Sequence, residues 1–353
     1  MKNKKSNINL ENFFKKLDDI QQINTSKKTT LIYDISSLFK SHICANMAVT
    51  DNGIPIGGVV GTINSIIYLS QKYNSKEIIC VFDGKNNAKR RQKIYPEYKI
   101  DRGKKNDNVK SPLIENLYRA KENKELQERL LVAFLKRMPV KILNIKGLEA
   151  DDVISFLINQ YYEDKKGSRI IVTEDRDMLQ LLNDQTYIHL HRKKELIGVK
   201  DLNEFGFGKI PENIIYFRAV EGDKSDNLDG VNGIAKKSFL KLLPEISESK
   251  LNTIDDFFNL VDSKRDVLLK TKKGKKLLES KSIIDRNYKL MNLSNSNEII
   301  TSTEEVAIFE LMNKNDFKDS NIIGIRNIIK EFRLNNELSE GKFKKFFNKI
   351  RYR

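Results

Sequence analysis

The sequence predicts an α/β protein built on a mostly parallel central sheet flanked by helices. Three observations predict it. Four short apolar runs alternate with stretches of helical apolar spacing, the pattern that builds parallel sheets. Each run ends in, or leads directly to, acidic residues: Asp34, then Asp83, then Glu149 with Asp151 and Asp152, then Asp175 with Asp177. Open α/β sheets bind ligands at the carboxyl ends of their strands, so these acids fall on the edge where chemistry is done.

The elements follow in order. Residues 1–28 form a polar leader in which Leu10, Phe13, Phe14, Leu17 and Ile20 recur at helical spacing. Residues 30–36 read as a buried strand. A helix over 57–73 has an apolar face of Val60, Ile63, Ile67 and Leu69. A second strand covers 77–84. Residues 85–110 are strongly basic, with Lys85, Arg90, Arg91, Lys99 and Arg102 among the cations and Tyr95 and Tyr98 interleaved. Such a stretch either stacks and pairs with a single strand of nucleic acid or is a solvated loop. With the helical pattern over 113–137 it makes an insertion that overhangs the acidic edge.

A third strand over 140–145 leads into Gly147-Leu148-Glu149-Ala150-Asp151-Asp152, which opens a helix continuing over 153–158. Acids in a first helical turn are favoured by the dipole, which is one reading. Three carboxylates so close also repel one another unless a cation joins them, which is the other. A fourth strand over 169–173 runs into Asp175 and Asp177 and a helix over 178–182. Segments 187–190 and 196–199 read as a hairpin or edge strands, and 211–220 as a helix. Gly230 and Gly233 then bracket a tight turn that opens a further helix. Its N–H groups, with Lys236 and Lys237, either hold a phosphate or close an ordinary helix–helix turn. Helical patterns over 264–281, 322–332 and 343–350 complete the chain. The last is basic with aromatics: it either contacts DNA or a partner, or docks with one wet face.

Composition narrows the classes. The chain has 353 residues, 39% apolar and 32% charged, enough for a core and more than one domain. A net charge of +16 points to a polyanion partner, nucleic acid above all, or to a generally Lys-rich background. Cys44 and Cys80 make neither metal spacing nor a disulfide framework and read as buried apolar residues. There is no apolar run of membrane length and no signal-peptide core, so a cytosolic setting is expected.

Nine acids thus group by topology: Asp34, Asp83, Glu149, Asp151, Asp152, Asp175, Asp177, Asp223 and Asp226. If they converge they need counter-charge. An oxygen-only donor set suits Mg²⁺ or Mn²⁺ rather than zinc, and there are enough acids for two ions. Two such ions beside a basic surface suit phosphodiester hydrolysis. His42, His189 and His191 show no ligand spacing and receive no role.

From residue 31 to 243 the chain resembles the flap endonuclease and 5′–3′ exonuclease family. The segments that carry this are Tyr33-Asp34, Val81-Phe82-Asp83-Gly84, Tyr95-Pro96-Glu97-Tyr98-Lys99, Gly147 to Asp152, Thr173 to Asp177, Gly222 to Asn227 and Gly230 to Ile234. Their joint order is specific where no single one is. Size and C-terminal layout look most like the phage branch, including phage ribonuclease H-type enzymes that remove RNA primers. The resemblance implies a PIN-like nuclease core with a helical arch, Asp34, Asp83, Glu149 and Asp151 on a first metal ion, and Asp175, Asp177, Asp223 and Asp226 on a second, with Asp152 between. It implies that Tyr98, Lys99 and Arg102 form the arch base that acts on the scissile phosphate, with Lys85, Arg90 and Arg91 nearby. It implies a helix-three-turn-helix at Gly230 to Lys237 that grips duplex DNA. There the carbonyls of Val231 and Ile234, with Val220 and Glu221, would hold K⁺. Asp229 stands where relatives often have Pro, and Ala235 where they often have Gly.

The expected layout is a leader (1–28), a nuclease core (29–205) with the arch (85–137), a DNA-binding region (206–260) and a basic helical C-terminal region (261–353). The expected activity is Mg²⁺-dependent cleavage of 5′ flaps and 5′ ends of duplex DNA or RNA–DNA during replication. The protein is expected to be a monomer with no membrane contact, and a replication-protein contact would fall in the C-terminal region. Two rivals stay open: a PIN-type ribonuclease, and a non-catalytic binder of DNA structures.

Overall fold

The computed structural model describes residues 28–100, 123–294, 299–314, 317, 320–334 and 336–351. The proposed leader helix and residues 101–122 of the arch, Arg102 among them, lie outside the described residues.

Strand β1 (Thr29–Asp34) passes directly into helix α1 (Ile35–Ala45), followed by α2 (Gly57–Lys72) and β2 (Glu77–Phe82). Then come α3 (Lys89–Ile94), α4 (Lys124–Leu135), β3 (Lys141–Asn144), α5 (Ala150–Phe156), β4 (Ser168–Thr173), β5 (Thr186–Leu190) and β6 (Glu195–Ile197). The sheet order is β3-β2-β1-β4-β5-β6. Every pairing from β3 to β5 is parallel, and β6 joins β5 antiparallel. Sequence order reverses between β1 and β4, so their carboxyl ends flank the crevice that such sheets use for ligands.

Strand periodicity divides the core between the two faces. Leu31, Tyr33, Ile78, Cys80, Ile170 and Val172 pack with α1, α2 and α4; Ile32, Ile79, Val81, Leu143 and Ile171 pack on the α5 side. The glycines at the start of α2 allow a close crossing over α1. A Cβ on Gly57 would lie 1.8 Å from the Asn46 carbonyl oxygen, and one on Gly61 would lie 2.3 Å from His42 Nδ1.

Beyond the sheet lie α6 (Ile214–Glu221), the two-stranded β7 (Gly222–Asp223) and β8 (Leu228–Asp229), and α7 (Lys236–Leu242). Helices α8 (Ile254–Ser263), α9 (Arg265–Leu268), α10 (Lys272–Glu279), α11 (Lys281–Met291) and α12 (Ser302–Asn313) extend the α5-side core. Helices α13 (Ile322–Glu331) and α14 (Glu340–Arg351) return to the opposite face. There Phe343 stacks on Phe134 at 6.0 Å, and Lys349 Nζ donates to the Ser70 carbonyl at 2.8 Å. Of the two readings of the basic tail, the docked helix is the one observed. Each buried ring contributes about 2–3 kcal/mol.

Four expectations need correction. Helix α1 begins at Ile35, where the strand was expected to run on, because Asp34 caps it by accepting from Ser37 N at 3.0 Å. The helix expected over 178–182 is a 3₁₀ segment, Arg176–Leu181, because Asp175 caps its tight first turn. The helix expected from residue 211 opens as a 3₁₀ turn, Pro211–Asn213, before α6. Cys44 is exposed rather than buried, because it lies on the outer side of α1; Cys80 is buried. Among the described residues no helix is long and apolar enough to cross a membrane.

Candidate active site

The carboxyl edge of the sheet collects the acids. Asp34, at the end of β1, also accepts from the Thr173 hydroxyl at the end of β4, at 2.9 Å. Burial raises its pKa to about 7, against the Ser37 hydrogen bond, with Asp83 and Asp151 adding to the rise. Asp83 follows β2 and accepts from Ala150 N at 3.0 Å, so it sits against the start of α5. Asp175 is pushed well above the usual carboxylate range by burial and by Asp177. These acids depend on one another because each raises the cost of ionising the next.

Glu149 is the most enclosed of them, 1% exposed at the N-terminus of α5. Its Oε2 receives Lys99 Nζ at 2.7 Å and the Tyr98 hydroxyl at 3.1 Å. Burial and Asp151 raise its pKa to about 7, against the pull of Arg91 and Lys99. Its Oε1 is buried without a hydrogen-bond partner. Tyr98 also reaches Asp226 Oδ2 at 3.1 Å, and Lys99 N donates to the Asp226 carbonyl at 3.0 Å. The described base of the arch is therefore tied to both acid-bearing segments.

Several cations sit elsewhere than their sequence context suggests. Arg91, grouped above with nucleic-acid contacts, is 5% exposed and cannot present its charge to a duplex. It grips Asp152 with two hydrogen bonds of 2.8 and 3.1 Å, lies 3.2 Å from Glu149 and donates to the Leu290 carbonyl. Asp152 is thereby engaged by a protein cation, and its other contact is Glu149 N at 3.0 Å. Arg90 pairs with Glu304 at 2.5 Å and with the Ile299 carbonyl, which binds α3 to the C-terminal segment. Tyr98 is 2% exposed, so it orients carboxylates rather than meeting substrate. Lys85 and Lys237 are exposed. Lys236 is half-buried, with its ammonium 3.1 Å from the Phe205 carbonyl and 4.2 Å from the Phe207 ring centroid.

The second group of acids reveals a residue that the sequence reading missed. Arg218 on α6 donates Nε to Asp177 and Nη2 to Asp223 at 2.8 Å. Burial raises the Asp223 pKa, but Ser225 and Arg218 outweigh it, and the net shift is downward. The available signal was a lone cation inside the apolar run Ile214-Ile215-Tyr216-Phe217-Arg218-Ala219-Val220, where an unpaired charge is untenable. Gly222 and Gly230 are close-approach positions: a Cβ on Gly230 would lie 2.0 Å from the Glu221 carbonyl oxygen and 2.6 Å from that of Val220. The Val220 carbonyl accepts from Val231 N, and that of Val231 from Ile234 N. Gly233, with φ of 81°, is exposed at the tip of the turn.

The donor set fits a hard divalent cation. Among the described residues, six of the nine carboxylates (Glu149, Asp151, Asp152, Asp177, Asp223 and Asp226) pair with Arg91, Lys99 or Arg218, and no histidine or cysteine joins them. The buried, unpartnered Glu149 Oε1 is a donor atom in want of a cation. As the side chains stand, no three of these groups among the described residues already enclose an ion.

The chain is similar to known proteins in sequence and in fold. The chain is 29% identical over 271 residues to a 5′-3′ exonuclease of Buchnera aphidicola, a match covering 76% of this chain and 86% of that one. In fold it is similar to the T5 5′-exonuclease with bound divalent zinc ions: TM-score 0.61, 20% identity, 82% of this chain and 98% of that one. It is also similar to the bacteriophage T5 flap endonuclease in a pseudo-enzyme-product complex with DNA and metal ions: TM-score 0.60, 20% identity, with the same coverage. The sequence likeness is thus to a bacterial protein and the fold likeness to phage ones, so a phage branch is not singled out. Residues 28–205 match the model of the 5'-3' exonuclease N-terminal resolvase-like domain, and the chain is a nuclease belonging to the 5′-3′ exonuclease family.

Proposed function

We propose that this protein is a structure-specific 5′ nuclease that removes 5′ flaps and 5′ ends from duplex DNA or RNA–DNA and leaves 5′ phosphates. Two Mg²⁺ ions, or Mn²⁺ in their place, would be held by Asp34, Asp83, Glu149 and Asp151 and by Asp175, Asp177, Asp223 and Asp226. When bound, such ions supply Lewis acidity toward phosphate oxygens and lower the pKa of water. The observation that carries the reading is Glu149: buried, with one oxygen unpartnered and the other on Lys99.

The chain's own residues set the geometry. Tyr98 holds Glu149 and Asp226 toward each other, and Arg91 fixes Glu149 from behind. An incoming phosphate competes with Glu149 for the Lys99 ammonium, which then stabilises charge on a non-bridging oxygen. The exposed Lys237 and the turn at Gly230 and Gly233 meet the duplex through its phosphates, and Lys236 shapes that turn from within. The Val220, Glu221, Val231 and Ile234 carbonyls are the proposed K⁺ ligands. Cys44 and Cys80 form no disulfide, which suits a cytosolic enzyme.

The test is cleavage of a 5′-flap duplex labelled on the flap, with Mg²⁺ and with chelator. Mg²⁺-dependent release at the junction is expected. Flap binding without cleavage would favour the structural binder, and cleavage restricted to single-stranded RNA would favour the PIN-type ribonuclease.

A further inference from the structure

We infer that Arg218 is a positioning residue that holds Asp177 and Asp223 at a fixed separation, so that a divalent ion meets a preformed pair of carboxylates. This rests on the nuclease reading above. The two acids come from separate parts of the fold, the 3₁₀ segment after β4 and strand β7. Arg218 is the link between them: its Nε serves Asp177, its Nη2 serves Asp223 at 2.8 Å, and its Nη1 lies 3.5 Å from Glu221.

The guanidinium is held firmly. All seven residues from Ile214 to Val220 on its helix are buried, and Asn287 Nδ2 secures that helix by donating to the Ala219 carbonyl at 2.9 Å. A planar fork can serve two carboxylates in fixed directions, whereas an ammonium is a point charge that serves one well. Each acid also takes one backbone N–H or gives one: Asp223 Oδ1 accepts from Ser225 N at 2.7 Å, and Asp177 N donates to Asp175 at 2.8 Å. Arg218 completes the orientation of both. Without it, two half-buried carboxylates lose their shared counter-charge and repel.

Two opposing effects follow from removing Arg218. Lost orientation weakens ion binding; lost positive charge strengthens it. The proposal is that orientation wins, as it does for partners that orient metal ligands elsewhere.

The experiment is Mn²⁺ titration of the full chain without DNA, by calorimetry, for wild type, Arg218→Gln and Arg218→Lys. Arg218→Gln is expected to weaken one class of Mn²⁺ site about 10- to 100-fold, and Arg218→Lys to recover part of the loss. In flap cleavage, half-saturating Mg²⁺ should rise while turnover recovers at high Mg²⁺; a merely structural role would depress turnover at every Mg²⁺ concentration. Mn²⁺ binding that is unchanged or tighter in Arg218→Gln overturns the proposal. Should that variant fail to fold, Arg218→Lys decides alone, with unchanged binding overturning it. Failure of the nuclease reading would appear separately, as a wild type that binds Mn²⁺ yet leaves flaps intact.

Discussion

Lys99 Nζ lies 2.7 Å from Glu149 Oε2, and Lys99 reaches it from a left-handed backbone with φ of 57°. Side chains rarely adopt that conformation, and it costs about 1 kcal/mol or more. It is held by the Lys99 N–H to the Asp226 carbonyl and by Asn227 Nδ2 to the Glu97 carbonyl at 3.1 Å. The ammonium is therefore aimed by the fold rather than by its own flexibility.

Removing that ammonium should separate binding from chemistry. For Lys99→Ala we expect turnover of a 5′ flap to fall about 100- to 1000-fold, as for loss of an oriented donor to developing charge. Affinity for the duplex should change several-fold at most. Single-turnover cleavage and direct binding in Ca²⁺ measure the two, and equal losses in both would count against a role in the chemical step.

Arg91 should matter for stability. Arg91→Met leaves Asp152 buried beside Glu149 without a cation of its own, Glu149 keeping only Lys99, a loss of about 3–5 kcal/mol. Adding Asp152→Asn should restore part of it, because one uncompensated charge is then gone. Urea unfolding of both variants gives the coupling, and strictly additive losses would show that the pair acts independently.

The three histidines, assigned no role above, meet in space. His42 and His191 are 4.6 Å apart between ring centroids, and His189 Nδ1 is 2.9 Å from the Tyr73 hydroxyl. Burial lowers His189 to about 3, with Lys72 and His191 adding, and lowers His42 to about 4, with His191 adding. The unfolded chain takes up these protons first, so the histidines' contribution to stability is full above about pH 6.5 and is lost as pH drops toward 3 to 4. His189→Gln should flatten the slope of unfolding free energy over that window, by up to about 1.4 kcal/mol per pH unit. Equal slopes in wild type and variant would remove His189 from the effect.

Lys236 and Lys237 should differ despite being neighbours. Lys237→Ala should lower the salt slope of duplex binding by about 0.9, the signature of one lost phosphate contact. Lys236→Ala should leave the slope nearer to wild type and lower the melting temperature, since its ammonium sits on the Phe205 carbonyl and the Phe207 ring. Identical slope changes in the two variants would show that Lys236 swings out to the DNA.

The sequence by itself determined the parallel sheet and the acids on its carboxyl edge. Strand periodicity decides which residues face which layer, and a polar residue closing an apolar run must emerge at the strand's end, as Asp34 and Asp83 do. Tertiary structure alone decided which charges meet. Arg91 stands in a basic stretch that reads as a nucleic-acid contact or a solvated loop, and Arg218 in a mostly apolar helix, yet each is buried between carboxylates brought in from distant segments. His42 on α1 likewise meets His191, just after β5, from far away in the chain. Hydropathy is local and survives in the order of residues. Desolvation and charge pairing depend on distances of a few ångströms between segments that the chain order leaves far apart.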